Sequence, residues 1–298
     1  MKTELPARDV RTLVEFRVGP ISEFEPLPEG LASQAYAFRQ GSEPFVVRIS
    51  RWLEGFHQDA FAWRTFSSAD LPIPEVVRVD AMGEIAVCIS RRAPGVRVCD
   101  LEGALEPSAV LHTLSALACT DTGSTAGFGP FDSTGQAPYE TWLDYLLRVA
   151  EPDFCQWGRV KDRTDRRHID RAVLAVERLA PAHAPKRGLI HGDFGAANLL
   201  ADRGVITALI DWDRALIGDV AYDEANVFFW GEPSLKPVVS ALGARHAGDD
   251  DWARRLLCYQ LRICLQELSE SLSGLQLIDV RWLMAKCADL TEQAESLA

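Results

Sequence analysis

A chain of 298 residues is long enough for two domains or lobes, and its 47% hydrophobic and 25% charged residues are the proportions of an ordinary soluble globular protein. A net charge of −12 argues against a nucleic-acid partner and against an anionic membrane surface, and favours a cationic substrate. The seven cysteines are scattered, odd in number and form no C-x2-C pair, which speaks against a disulfide framework and a zinc site; with no signal segment and no run of about 18 apolar residues, a reducing cytoplasm is the expected compartment.

In chain order, Val10, Leu13, Val14 and Phe16 recur at helical spacing and predict a short leading helix that ends at Gly19-Pro20. Residues 24–49 read as three strands broken at Pro28-Glu29-Gly30 and Gln40-Gly41-Ser42. The stretch 29–34, which contains Ser33, has a single glycine and by itself reads as an ordinary hairpin. Arg48 follows in a strand whose alternation points it opposite Val47. A helix is expected over residues 55–66, carrying Asp59 as a candidate acidic partner, with a solvated helix-face charge as the bland alternative. Prolines at 72 and 74 make 71–76 extended. A buried strand is expected at 85–89 and a loop at 90–95. Helices are expected over 107–119, 139–149 and 166–179, with a loop at 123–136. None of His57, His112, His168, His183 and His246 sits in a metal-ligand or nucleophile pattern.

The most informative stretch is 189–230. His191-Gly192-Asp193 is followed by Asn198 five residues after the aspartate, and Ile210-Asp211-Trp212 places a second aspartate at the end of an apolar run. Residues 199–200 and 205–210 read as two strands about a turn at Asp202-Arg203-Gly204. A loop carboxylate such as Asp193 accepts a proton from a substrate hydroxyl, although alone it reads equally as a helix N-cap. An amide and a second carboxylate offer Mg2+ the oxygen ligands it prefers. These are the parts of a phosphoryl-transfer site: a catalytic-loop Asp, an Asn and a metal-binding Asp. Beyond it, residues 218–224 lead into a helix with Ala225, Phe228 and Phe229, and residues 252–270 and 280–297 read as closing helices.

The D-x4-N spacing equals that of the kinase catalytic loop H-R-D-x-x-x-x-N. Together with H-G-D and I-D-W it resembles the aminoglycoside phosphotransferase family, antibiotic kinases of protein-kinase-like fold. The strings LPIPEV (71–76), ISRRAPGV (89–96), GFGPF (127–131), ITALIDW (206–212) and YDEANVFFW (222–230), with a weaker LRICLQELSESL (261–272), are similar to one aminocyclitol-directed branch of it. The resemblance implies an α+β, two-lobed fold. Residues 1–89 would form a small lobe with an antiparallel sheet and one main helix, 90–95 a hinge, and 96–298 a larger, mostly helical lobe.

It further implies ATP, Mg2+ and transfer of the γ-phosphate to a hydroxyl of a small cationic antibiotic by a monomer. By position, Asp193 is the base and Asn198 and Asp211 are the metal ligands. Arg48 takes the phosphate-binding place usually held by lysine, partnered by Asp59, with Ser33 in the covering loop. Backbone groups around Arg91 and Ala93 would meet adenine while Ile89 lines its face. His191 and Asp219 would brace the catalytic region. Asp213, Asp223, Glu224, Glu267 and Glu270 are candidates for binding substrate ammonium groups, and Trp230 and Phe128 for walls against sugar rings. A kinase of a macrolide, choline, homoserine or a sugar would share the catalytic parts, since fold does not fix function. A nucleotide-binding protein without activity is the non-enzymatic alternative.

Overall fold

The structure is a computed structural model that describes residues 5–28, 33–103, 105–151, 155, 157–160, 162–274 and 278–297. Residues 29–32 of the predicted nucleotide-covering loop lie outside them; Ser33 lies within.

Helix α1 (Ala7–Val18) leads into strands β1 (Ser22–Pro26), β2 (Gln34–Gln40) and β3 (Glu43–Ser50), then helix α2 (Leu53–Phe66) and strands β4 (Val76–Met82) and β5 (Ile85–Arg91). The five strands form one antiparallel sheet in the order β1-β2-β3-β5-β4. Strand alternation divides its side chains between two helices. Val47, Ile49, Val87 and Ile89 pack with Val10, Leu13 and Val14 of α1, whereas Ala86, Cys88 and Val76 pack against Phe56 and Ala60 of α2. Strand β4 was missed by the sequence reading because its solvent-side positions leave no apolar alternation.

Past strand β6 (Val96–Arg97), the chain is mostly helical. In order come α3 (Pro107–Cys119), β7 (Gly129–Pro130), α4 (Trp142–Leu147), α5 (Arg163–Leu179), β8 (Arg187–Ile190), β9 (Leu199–Asp202), β10 (Val205–Leu209), β11 (Leu216–Asp219), α6 (Ala221–Trp230), α7 (Lys236–Arg245), α8 (Asp250–Leu272) and α9 (Val280–Ser296). Helix α8 is buried without interruption from Leu256 to Leu265, so it forms the axis around which α5, α6 and α9 pack. This is the α+β, two-lobed, protein-kinase-like arrangement.

Two local features separate expectation from observation. The 139–149 helix is shorter than expected, starting at Trp142, because Tyr139 exchanges backbone hydrogen bonds with Phe128 and the Thr141/Asp144 capping box fixes the start. The β9–β10 turn is centred on Arg203-Gly204, both at positive φ, the geometry that matches the twist of a two-residue hairpin.

The two small sheets, β10-β9-β6 and β7-β11-β8, carry the polar loops. Gly218 of β11 lies flat against the indole of Trp142; a Cβ there would stand 2.2 Å from the ring. Trp142 is fully buried and donates through Nε1 to Tyr259 Oη at 3.1 Å. Gly218→Ala should therefore overpack this layer and cost about 1–3 kcal/mol, read as a lower urea midpoint with an unchanged m-value.

Candidate active site

Strand β8 delivers His191-Gly192-Asp193 to the interlobe side, and helix α6 grips the loop from beneath. The Asp223 carboxylate accepts the amide of His191 at 2.7 Å and that of Gly192 at 2.9 Å, one on each oxygen. Asn226 donates to Gly192 O at 3.2 Å. His191 is buried, and burial lowers its pKa, so it is neutral. Its Nδ1 accepts the Asp193 amide at 3.3 Å and its Nε2 lies 2.9 Å from Ile210 O, which places the proton on Nε2. The ring thus ties the loop to the end of β10 and offers no proton to substrate.

Asn198 turns its amide nitrogen onto the loop, 3.0 Å from Asp193 Oδ2 and 2.9 Å from Asp193 O. That orientation leaves Asn198 Oδ1 as the atom a cation would take. Asp211 stands at φ +69°, an uncommon conformation for a residue other than glycine and a kind that clusters at functional sites.

Arg48 reaches Asp211 from the sheet. Its Nη1 donates to Asp211 Oδ1 at 2.9 Å and its Nη2 to Asp59 Oδ2, while the guanidinium lies 5.1 Å from the centre of the Phe56 ring. The other oxygen of Asp59 accepts the Trp212 amide at 2.8 Å. Asp59 is therefore a buried bridge between Arg48 and the Asp211-Trp212 turn, not a solvated charge. Burial opposes the charge on Arg48, but Asp59 and Asp211 outweigh it and hold the guanidinium firmly protonated.

Arg48, Asp59 and Asp211 share one cleft with Ser33, Phe56 and Asp213. Three carboxylates, Asp59, Asp211 and Asp213, face one guanidinium there, and burial followed by the charge of Asp211 pushes Asp213 well above the usual carboxylate range. A divalent cation of the Mg2+ kind, bound to these hard oxygen donors, would relieve that crowding of like charge. Among the described residues no group of three His, Cys, Asp or Glu side chains encloses a metal. An Mg2+ ion held by one carboxylate and one amide oxygen would have phosphates and water complete its shell.

One expected contact is corrected. Ile89 does not line the cleft: it is buried on the α1 face with Val47. By register, Val46 and Ser90 pair across β3 and β5 on the face that carries Arg48, and Arg48 itself pairs with Cys88. Alternation counted from Arg48 would have found them. The Arg91 amide is occupied by Glu75 O at 2.8 Å, and its side chain pairs with Glu43 and Glu75. Ala93 is half-buried beside it.

Of the antibiotic-side candidates, Asp223 is the loop brace just described, and Glu224 accepts Trp252 Nε1 at 2.6 Å. Phe128 packs against the core built around α8, with its ring centre 5.8 Å from the Arg187 guanidinium. Trp230 stacks on Trp282 at 5.9 Å and 6°. Asp213 sits with Arg48. Glu267 and Glu270 both bind Arg214. Asp219 accepts Tyr259 Oη and Arg255 Nη1, each at 2.7 Å, and so anchors α8 at the start of α6. Sequence reasoning also missed Glu232, which accepts the Ala196 amide at 2.7 Å, and Arg214; neither stands in a motif.

The fold and this site define a protein-kinase-like small-molecule phosphotransferase. Residues 23–258 match the model of the phosphotransferase enzyme family APH, and the chain belongs to that family. It is 36% identical over 295 residues to the hygromycin-B 4-O-kinase of Escherichia coli, covering 96% of this chain and 85% of that protein. A thermostable mutant of aminoglycoside phosphotransferase APH(4)-Ia, in ternary complex with AMP-PNP and hygromycin B, superposes with a TM-score of 0.88 at 33% identity, covering 97% of this chain and 99% of that one. The GDP complex of aminoglycoside 2'-phosphotransferase-IIIa, at 17% identity and a TM-score of 0.66 over 97% of both chains, shares the fold.

Burial raises the Asp223 carboxyl to about 7 from its ordinary 3.8, against the pull of the two amides it accepts. Because the folded-state pKa is raised, this group favours the folded chain most at pH below 3.8, and its contribution declines as pH rises to about 7. The grip on the loop needs the opposite state, since only the carboxylate accepts both amides. We expect kcat to fall as pH drops below about 7, and Asp223→Asn to have a lowered kcat from which that acid limb has disappeared; a pH–rate profile reads both.

Proposed function

We propose that the protein is an ATP-dependent kinase that phosphorylates the 4-hydroxyl of hygromycin B, acting as a cytoplasmic monomer. One observation carries the reading: Asp193, held by His191 and Asn198, and the Arg48–Asp59–Asp211 network occupy the same interlobe region in a chain 36% identical to a hygromycin-B 4-O-kinase. No helix among the described residues is long and apolar enough to cross a membrane.

In this mechanism Arg48 meets the phosphates of ATP with its two-pronged guanidinium, steadied by Asp59. Ser33 and the Val46/Ser90 face of the sheet lie on the nucleotide side. Asn198 Oδ1 and Asp211 would hold Mg2+, which when bound neutralises the charge of the transferring phosphoryl group. Asp193 orients the antibiotic hydroxyl and accepts its proton. The hydroxyl oxygen forms the new bond to the γ-phosphorus as the bond to the β,γ-bridging oxygen breaks, and ADP leaves. Positioning supplies most of the rate in such a loose transition state. The acidic surface, with net charge −12, draws in a polycationic acceptor.

Coupled ADP-release assays with Mg2+ and a panel of hygromycin B, kanamycin, spectinomycin, erythromycin and choline test this. Hygromycin-dependent turnover is expected, and Asp193→Asn should lower kcat by about 10²–10⁴-fold with little change in KM for ATP. Turnover with another acceptor alone would keep the chemistry and overturn the substrate.

A further inference from the structure

The side chain of Arg214 runs from the turn after Asp211 to helix α8. Its Nη1 donates to Glu267 Oε1 at 2.8 Å and its Nη2 to Glu270 Oε2. The charge of Asp193 also acts on both Arg214 and Glu267, so this cluster borders the proposed base. Glu267 is 95% buried by its 5% exposure, yet its second oxygen, Oε2, is enclosed and accepts no hydrogen bond. A buried carboxylate oxygen left without a donor is costly, and such groups in a native structure point to a missing partner. Arg214 and Glu270 are each still 23% exposed, so solvent and ligand reach both the guanidinium and the outer carboxylate of the cluster.

We propose that Arg214 is a tethered occupant of a cation subsite formed by Glu267 and Glu270, and that it gives way to an ammonium group of the acceptor. The inference rests on the aminoglycoside reading of this site. In the free protein the guanidinium keeps the two glutamates and Asp193 from facing one another uncompensated. On binding, an acceptor ammonium takes the Glu267–Glu270 position and supplies the hydrogen bond that Glu267 Oε2 lacks, while Arg214 swings towards solvent. An uncharged or singly charged sugar cannot displace a guanidinium held by two carboxylates, so Arg214 makes charge on the acceptor a condition of tight binding. It acts on specificity and not on the phosphoryl step. A ligand that must displace an internal occupant has its affinity reduced by the fraction of protein in the open state.

The test is calorimetric binding of hygromycin B to the full-length protein with the nucleotide absent. Arg214→Gln removes the occupant and should tighten the dissociation constant by roughly fivefold or more, whereas Arg214→Lys, which keeps a tethered cation, should stay within about twofold of the unaltered protein. Glu267→Gln should weaken binding by about tenfold in either background. Weaker or unchanged binding by Arg214→Gln, with normal binding by the unaltered protein, overturns this inference alone. Absence of binding by the unaltered protein overturns the substrate reading and the inference with it. Should Arg214→Gln fail to fold, a crystal structure of the unaltered protein with hygromycin B decides. Arg214 released from both carboxylates, with an ammonium at Glu267 Oε2, is the expected result; Arg214 still seated on them overturns it.

Discussion

The active cleft depends on the ion-pair network that joins the sheet to the loop after β10. Arg48 enters from β3, Asp59 from α2 and Asp211 from a turn 163 positions away from Arg48 in sequence. A buried carboxylate is tolerated only when it is paired and its remaining oxygen is hydrogen-bonded. Asp59 meets both conditions at once, with Arg48 on one oxygen and the Trp212 amide on the other. The same contacts that make its burial tolerable therefore fix the distance between the Arg48 guanidinium and the Asp211 carboxylate. Arginine suits this place better than lysine, because one planar fork can serve two carboxylates.

A second brace holds the Asp193 loop from the opposite side. Asp223 takes the two amides of the His191-Gly192 loop, and Asp219 ties the start of the same helix to Tyr259 and Arg255 of α8. Position rather than acid strength is what a loose phosphoryl transfer demands of its base. Buried carboxylates are accordingly spent on holding Asp193 still. Asp223, expected on the substrate side, accepts the two loop amides, since a buried carboxylate in a mostly helical lobe finds backbone donors close by.

Much of the fold was legible in the sequence. Helices α3, α5, α6, α8 and α9 show the 3.6-residue period of an apolar face, and the β9–β10 hairpin shows its turn chemistry at Arg203-Gly204. The grouping of Asp193, Asn198 and Asp211 was legible because short turns hold all three beside that hairpin. Strands β4, β8 and β11 and helix α7 were not, being short or lacking clean alternation.

The sequence alone determined the types and order of the candidate site groups Asp193, Asn198 and Asp211, because proton acceptance and Mg2+ binding would require particular oxygens at short, local separations. It also determined the acidic character that favours a cationic acceptor. Only the tertiary structure decided which face of the sheet a side chain takes and which partner a buried charge finds. Ile89 and Ser90 are neighbours in sequence, yet one packs on α1 and the other lies on the face of Arg48. Glu267 and Asp223 are both acids on amphipathic helices, yet one holds a guanidinium and the other a loop. Those outcomes rest on contacts between residues tens of positions apart, for which a single sequence carries no local signal.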